Sequence, residues 1–268
     1  LILTNYLERK HIRQRLDRPT KKSGDKAMNP TLKAVSCAAA LSALAAFSLP
    51  AAAQSAGSNV FGVGWFHLAP QESSDPLTRT GTVTPGPIPG SGASISNADT
   101  LGLAITHFWT DNFATTLDAG VPPRFHLKAQ GAALAAAGVT DIGSAKQWSP
   151  AIVAKYFFGT AESKFRPFIG AGVTYVWYSG IELTPAFQNA ASFGGTASAK
   201  LSSSWAPVAN IGATYNFDKN WSTSLSVSYI PLKTDAEITG QGAFGTQTSR
   251  TTLHIDPIVT FLSVGYTF

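Results

Sequence analysis

Five histidines, His11, His67, His107, His126 and His254, are the first residues that could do chemistry. Imidazole serves as a zinc ligand or a general base, but either role needs further ligands or an acid placed close by. None of the five stands in an H-x-H or H-x-x-x-H pair, and the last four fall on separate segments. The one Ser/His/acid grouping is Ser249, His254 and Asp256. His254 and Asp256 are two residues apart, which on a strand puts both on one face. Such a trio could hydrolyse a lipid ester. No G-x-S-x-G elbow accompanies it. Cys37 is the single cysteine and lies near the amino-terminal end, so there is no disulfide framework. The expectation is a protein that is not an enzyme and needs no metal or cofactor. Asp118 and Lys155 remain: each is a charge on a face of small residues, and the two are expected to pair across an interior.

The elements that would position these residues are strands. The last seventeen residues, 252–268, put Phe268, Tyr266, Val264 and Leu262 on one face, with Thr267, Gly265 and Ser263 on the other. Period-two alternation is the strand signature. It recurs at 58–68, 99–109, 113–127, 147–158, 165–179, 201–217 and 221–238. In 221–238 the division is sharpest: Trp221, Thr223, Leu225, Val227 and Tyr229 oppose Ser222, Ser224, Ser226 and Ser228. Connections after the second, fourth and sixth strands are three to six residues; the others run from about a dozen to thirty. Pro70–Gly92 reads as irregular, mobile chain, and Gln130–Ala145 as a loop with a short helix between Gly131 and Gly138.

Charge divides the chain. Residues 1–53 hold nine Lys and Arg against three Asp and Glu; residues 54–268 hold eleven against twelve. The basic balance therefore belongs to the amino-terminal part and does not point to nucleic acid. Met28, Lys33, the apolar stretch 34–47, Pro50 and the A-x-A site Ala51-Ala-Ala53 read as a secretory signal over 28–53, cleaved before Gln54. Residues 1–27 read as an over-extended start, outside the mature protein.

These features together predict an all-β protein over 54–268: an eight-stranded antiparallel transmembrane β-barrel with short periplasmic turns and long extracellular loops. Charged residues make up 13% of the chain, too few for a soluble barrel's outer surface. Aromatics at strand ends, such as Trp109, Phe113, Phe217 and Trp221, suit a membrane-interface girdle. The expected place is the bacterial outer membrane, among membrane lipids and lipopolysaccharide. Eight strands leave a bore filled by side chains, so a wide aqueous pore is excluded. Phe66, Leu68, Phe108, Val208 and Phe261 are candidate lumen residues. Trp205, in Ser-Ser-Ser-Trp205, is either a gate over the lumen or an outward girdle residue; alternation favours the girdle.

Specific motifs are similar to those of the OmpW/AlkL outer-membrane family. Phe165-Arg-Pro-Phe-Ile-Gly-Ala-Gly-Val-Thr-Tyr175 resembles its K-F-R-P-Y-x-G-A-G-x-N-Y segment. Thr110-Asp-Asn112 resembles its first periplasmic turn, Ala154-Lys-Tyr-Phe-Phe-Gly159 its Q-Y-Y-F-G run, and Asp256-Pro257 its L-D-P-W run. The resemblance implies a narrow, largely hydrophobic channel for passive uptake of small hydrophobic solutes, with side release into the bilayer. A structural or receptor barrel without transport is the alternative, and a lipid-A-modifying enzyme a more distant one. Phe268 and Tyr266 resemble the carboxy-terminal signature read by outer-membrane assembly machinery.

Overall fold

The computed structural model describes residues 54–71 and 73–268. The expected signal segment, the extension before it, Cys37 and His11 lie outside the described residues. In chain order the strands are β1 (Asn59–Ala69), β2 (Ser73–Ser74), β3 (Thr78–Gly81), β4 (Gly86–Pro87), β5 (Gly92–Ile95), β6 (Ala98–Phe108), β7 (Phe113–Gly120) and β8 (Arg124–Gln130). Helix α1 (Ala132–Ala136) follows, then β9 (Asp141–Trp148), β10 (Ala151–Phe157) and β11 (Phe165–Leu183). Helix α2 (Pro185–Ser192) precedes β12 (Thr196–Leu201), β13 (Ser204–Asn216), β14 (Trp221–Tyr229), β15 (Lys233–Gly242), β16 (Gly245–His254) and β17 (Ile258–Thr267).

Eight strands form a closed antiparallel ring, in the order β1, β6, β7, β10, β11, β13, β14, β17 and back to β1. The terminal strand β17 closes the ring by pairing with β1 from Val60↔Thr267 to Ala69↔Ile258. Because successive side chains alternate in and out, Phe61, Val63, Trp65, Leu262, Val264 and Tyr266 all stand on the outer wall and are exposed. An apolar outer wall of this extent is stable against lipid and would aggregate in water. The inner face carries glycine, serine, threonine and a few larger apolar side chains.

The short turns are built from hydrogen bonds that the sequence encodes locally. Asn112 donates its side-chain amide to the carbonyls of Phe157 and Gly159, each at 2.7 Å. Asp218 accepts from the backbone amides of Trp221 and Asn220 at 2.8 Å each, and these two donors hold its carboxyl below the usual carboxylate range.

Four of the expected strands are each two strands in the structure. The segment 113–127 breaks at Val121-Pro-Pro123, 147–158 at Ser149-Pro150, 221–238 at Ile230-Pro-Leu232, and 252–268 at Ile255-Asp-Pro257. Proline lacks the N–H that a ladder needs, so each proline ends a run of pairing. The breaks separate the barrel from an outer region that is itself mostly strand. There β9, β8 and β5 continue from the outer half of β11, while β12, β15, β16, β3 and β4 form a second sheet. Pro70–Gly92 is thus partly ordered: Thr78–Gly81 pairs with β16, contrary to the irregular chain expected from its composition. The expected short helix is present as α1, starting after Gly131 at φ +91°. Helix α2 was not foreseen; Thr184 caps it by accepting from the Phe187 amide at 3.3 Å, and Pro185 opens it.

Candidate functional site: an apolar cavity with a side opening

The barrel interior is layered. At its middle, Phe66 and Phe261 are cross-strand partners whose rings stack at 4.0 Å and 19°. The stack lies over Gly102, where an added Cβ would fall 2.2 Å from the Phe66 ring. Only a glycine on β6 lets that ring lie across the bore.

Above the stack is a cavity of about 980 Å³, counting its open mouth. Phe66, Leu68, Val153, Val176, Val208, Ile230 and Val259 line it, with Asp118, Thr100, Thr174 and Ser228 as its polar groups. Two further apolar cavities continue outward. One of about 370 Å³ is lined by Phe125, Leu127, Leu253 and Ile255, and one of about 630 Å³ by Leu77, Ile142, Phe187 and Ile238. Gln147, and Tyr178 with its hydroxyl 3.0 Å from that of Thr234, form a polar collar between the first and the outer ones.

The lining of the first cavity also includes Val121, Pro122, Pro123, Trp148, Ser149 and Pro150, which belong to the wall itself. Pairing of β7 with β10 ends at Asp118↔Ala151, and pairing of β8 with β9 resumes at Arg124↔Lys146. The Gln147 amide reaches the Pro123 carbonyl at 3.1 Å. Between those points the backbone groups turn to other neighbours. The Val121 amide donates to Leu101, and the Pro150 carbonyl accepts from the Tyr175 amide and the Thr174 hydroxyl. Among the described residues no backbone bond joins 119–122 to 148–150. The cavity therefore borders a stretch of wall without backbone pairing, beside a parallel stack of Trp148 on Trp177 at 5.7 Å and 1°.

Below the Phe66–Phe261 stack the chamber changes character. Ser222, Ser224, Ser226, Ser263, Thr106 and Thr214 line it, with Lys155 beneath. Its floor is a cluster of Val60, Phe108, Ala114, Phe157 and Phe168. Arg166, fully buried, completes the floor: it donates to the carbonyls of Gln54 and Asp111, and its guanidinium lies 5.3 Å from the Phe157 ring. The interior is divided rather than uniform. The outer half is apolar, the inner half is polar, and the periplasmic end is closed by packed aromatic rings.

The candidate residues separate accordingly. Phe66, Leu68 and Val208 line the apolar cavity, Phe261 faces the lower chamber from the stack, and Phe108 lies in the floor. Trp205 lies on the outer wall, 71% exposed, and packs on Tyr175 at 4.9 Å. Its strand parity, opposite to that of Ala206 and Val208, sets that direction. Asp118 and Lys155 both point inward, but their register places Lys155 opposite Ala114, four rungs from the Asp118↔Ala151 pair. No ion pair joins them among the described residues. Lys155 sits 5.1 Å from the Phe168 ring, and one carboxylate oxygen of Asp118 is buried without a hydrogen-bond partner. Phe268 and Tyr266 are exposed on the outer wall.

Ser249, His254 and Asp256 are not assembled into a catalytic trio. Ser249 pairs opposite Ile238 and His254 opposite Lys233, five rungs apart. His254 faces Asp75 at 3.9 Å, and Asp256 sits in the break after β16, where its carboxylate accepts from the Leu232 amide at 2.9 Å. The break destroys the shared strand face that the spacing implied. No cluster of three metal-ligating side chains occurs among the described residues. Sequence reasoning gave Arg166 no role of its own, weighed Asp256 only as a catalytic acid and motif residue, and missed the proline breaks. The signal was present in the last case, since Pro122, Pro123, Pro150, Pro231 and Pro257 all interrupt alternating runs.

A family model described as the OmpW family matches residues 55–268. Outer membrane protein W of Vibrio cholerae is 29% identical over 241 residues, covering 90% of this chain and all of that protein. A Pseudomonas aeruginosa protein named Dibenzothiophene metabolism operon protein PahQ is 25% identical over 186 residues, covering 68% of this chain and 77% of its own. The crystal structure of the outer membrane protein OprG from Pseudomonas aeruginosa matches with a TM-score of 0.72 at 24% identity, over 81% of this chain and 98% of that one, which shows a common fold.

Proposed function

This chain belongs to the OmpW family, and from that premise we propose that its outer-membrane barrel takes up small hydrophobic molecules passively and releases them sideways. The observation that carries this reading is the pairing of an apolar cavity with an unpaired stretch of wall, above a closed floor. A solute entering from outside meets apolar surface through three successive cavities. It then faces a serine-lined chamber with a packed floor below, or lipid through the wall at 119–122 and 148–150.

The energetics favour the side route. An apolar solute that buries roughly 200 Å² on leaving water is stabilised by about 5 kcal/mol. Moving from the apolar cavity into lipid keeps that surface dry and costs little. Moving down past Phe66 and Phe261 would put it against hydroxyl groups and Lys155. The bilayer's hydrophobic solutes are also those that a water-filled pore serves worst, and lipopolysaccharide slows their direct partitioning. The name of the relative from a dibenzothiophene metabolism operon supports the same solute class, since dibenzothiophene is an uncharged fused aromatic.

Uptake of a hydrophobic and a small hydrophilic solute, measured in whole cells or proteoliposomes with and without the protein, tests the reading. Faster entry of the hydrophobic solute alone is expected. Equal rates with and without the protein would leave a structural barrel as the better account, and altered lipid A in the same cells would favour an enzyme.

A further inference from the structure

Gln54 occupies an unusual position for a residue expected to begin the mature chain. It follows the A-x-A site at Ala51-Ala-Ala53, and the family match begins one residue later. It is only 3% exposed and lines the lower chamber of the barrel beside Lys155 and Phe168. Its carbonyl accepts from Arg166 at 2.9 Å. The next residues are tied down too: the Ala56 amide donates to the Asp111 carboxylate at 2.8 Å, and the Gly57 amide to the Phe108 carbonyl at 2.8 Å. Residues 54–57 are thus part of the floor at the periplasmic end.

A free amino terminus suits this place poorly. An ammonium on Gln54 would add a third cation to Lys155 and Arg166 in a region of packed phenylalanine rings, where burying an uncompensated charge is costly. The nearby acids already act on the cations present, Asp111 and Glu162 on Arg166 and Asp118 on Lys155. Asp111 meets Arg166 through its backbone carbonyl while its carboxylate serves Ala56, and Asp118 lies four rungs up the wall.

We propose that the mature chain starts at Gln54 and that this residue is cyclised to pyroglutamate. The neutral α-amine nitrogen attacks Cδ of its own side-chain amide; the N–Cδ bond forms, the Cδ–Nε2 bond breaks, and Nε2 leaves as ammonia with its two hydrogens and one transferred from the α-amine. The reaction needs no oxidant and no second substrate. It removes the ammonium and both amide N–H donors from the floor, and leaves the carbonyl that Arg166 holds.

The test uses protein extracted from outer membranes at neutral pH. Amines are labelled before digestion, and the terminal peptide, residues 54–79, is identified by mass spectrometry. The expected peptide starts at Gln54, carries no label on its terminus and is lighter than the encoded sequence by one ammonia. A synthetic peptide with amino-terminal glutamine, carried through the same handling, must keep its amine, which excludes cyclisation in the tube. A labelled amine on Gln54, or a chain that starts elsewhere, overturns the proposal. Gln54→Asn keeps a side-chain amide and retains its amine; its heat-unfolding midpoint in detergent should fall by roughly 2–4 °C. An unchanged midpoint would overturn the stabilising role of the lactam. Neither result depends on solute uptake, so each stands apart from the transport reading.

Discussion

The barrel wall is broken by proline in two places, and the two breaks are finished differently. Between β14/β15 and β16/β17, Pro231 stands opposite Asp256 and Pro257 opposite Ile230, yet the wall stays joined. The Ile230 amide donates to Pro257 at 3.2 Å, the Ile255 amide to Leu232 at 2.9 Å, and Asp256 spans the remaining gap by accepting from the Leu232 amide. Asp256 adopts φ +36° to do so, a conformation that non-glycine residues rarely take. Between β7/β8 and β9/β10, Pro122 and Pro123 stand on one side and Pro150 on the other, and among the described residues no side-chain hydrogen bond spans the gap. Val121, Pro122, Pro123, Trp148 and Pro150 surround it with apolar surface, and Ser149 is the one side chain among 121–123 and 148–150 with an acceptor oxygen. The same loss of N–H groups therefore makes a seam in one place and an unpaired stretch in the other. What decides between them is whether a carboxylate is available to replace the missing ladder bond.

The largest effect is expected from closing the opening. With no cysteine among residues 54–268, Ala119→Cys with Ser149→Cys can be bridged by a short bis-thiol reagent. Bridging should cut hydrophobic uptake about tenfold or more, a barrier change of about 1.4 kcal/mol or greater, and reduction or omission of the reagent should restore it. Full uptake in the bridged protein would show that solute leaves by another route. Asp256→Ala should then convert the seam toward an opening. It leaves the amide of the fully buried Leu232 without its acceptor, at a cost of about 1–3 kcal/mol, readable as a lower unfolding midpoint. Asp256→Asn, which keeps an acceptor oxygen, should recover most of the loss.

Gly102→Ala probes the cavity rather than the wall. Its methyl group would displace Phe66, and overpacking of this kind costs about 1–3 kcal/mol; uptake of bulky solutes should fall more than that of slim ones as the ring shifts into the cavity. Trp205→Phe should matter least, with less than a twofold change in uptake by the same assay, because the side chain lies on the outer wall. A large loss on that substitution would return Trp205 to the gate.

Much of this was legible before the fold was known. Alternation in 58–68, 99–109 and 221–229 gave strand identity, face and membrane exposure, and parity alone placed Phe66, Leu68, Val208 and Phe261 inward and Trp205 outward. Parity could not tell that Asp118 and Lys155 stand four rungs apart, because register between strands is a property of pairing. It also carried 113–127 and 221–238 straight through their prolines. A proline removes one N–H wherever it stands, but its consequence depends on what lies opposite.

The sequence by itself therefore determined the outer membrane, the eight-stranded closure through β17 and β1, and the chemical nature of each face. These follow from local periodicity and from the need to satisfy every backbone group in lipid. The tertiary structure decided where the wall loses its pairing, that the floor is packed from Arg166, Gln54 and tilted phenylalanine rings, and that Ser249, His254 and Asp256 never meet. Each of these depends on which residues from distant strands share one level of the barrel, and that level is set by register around the whole ring.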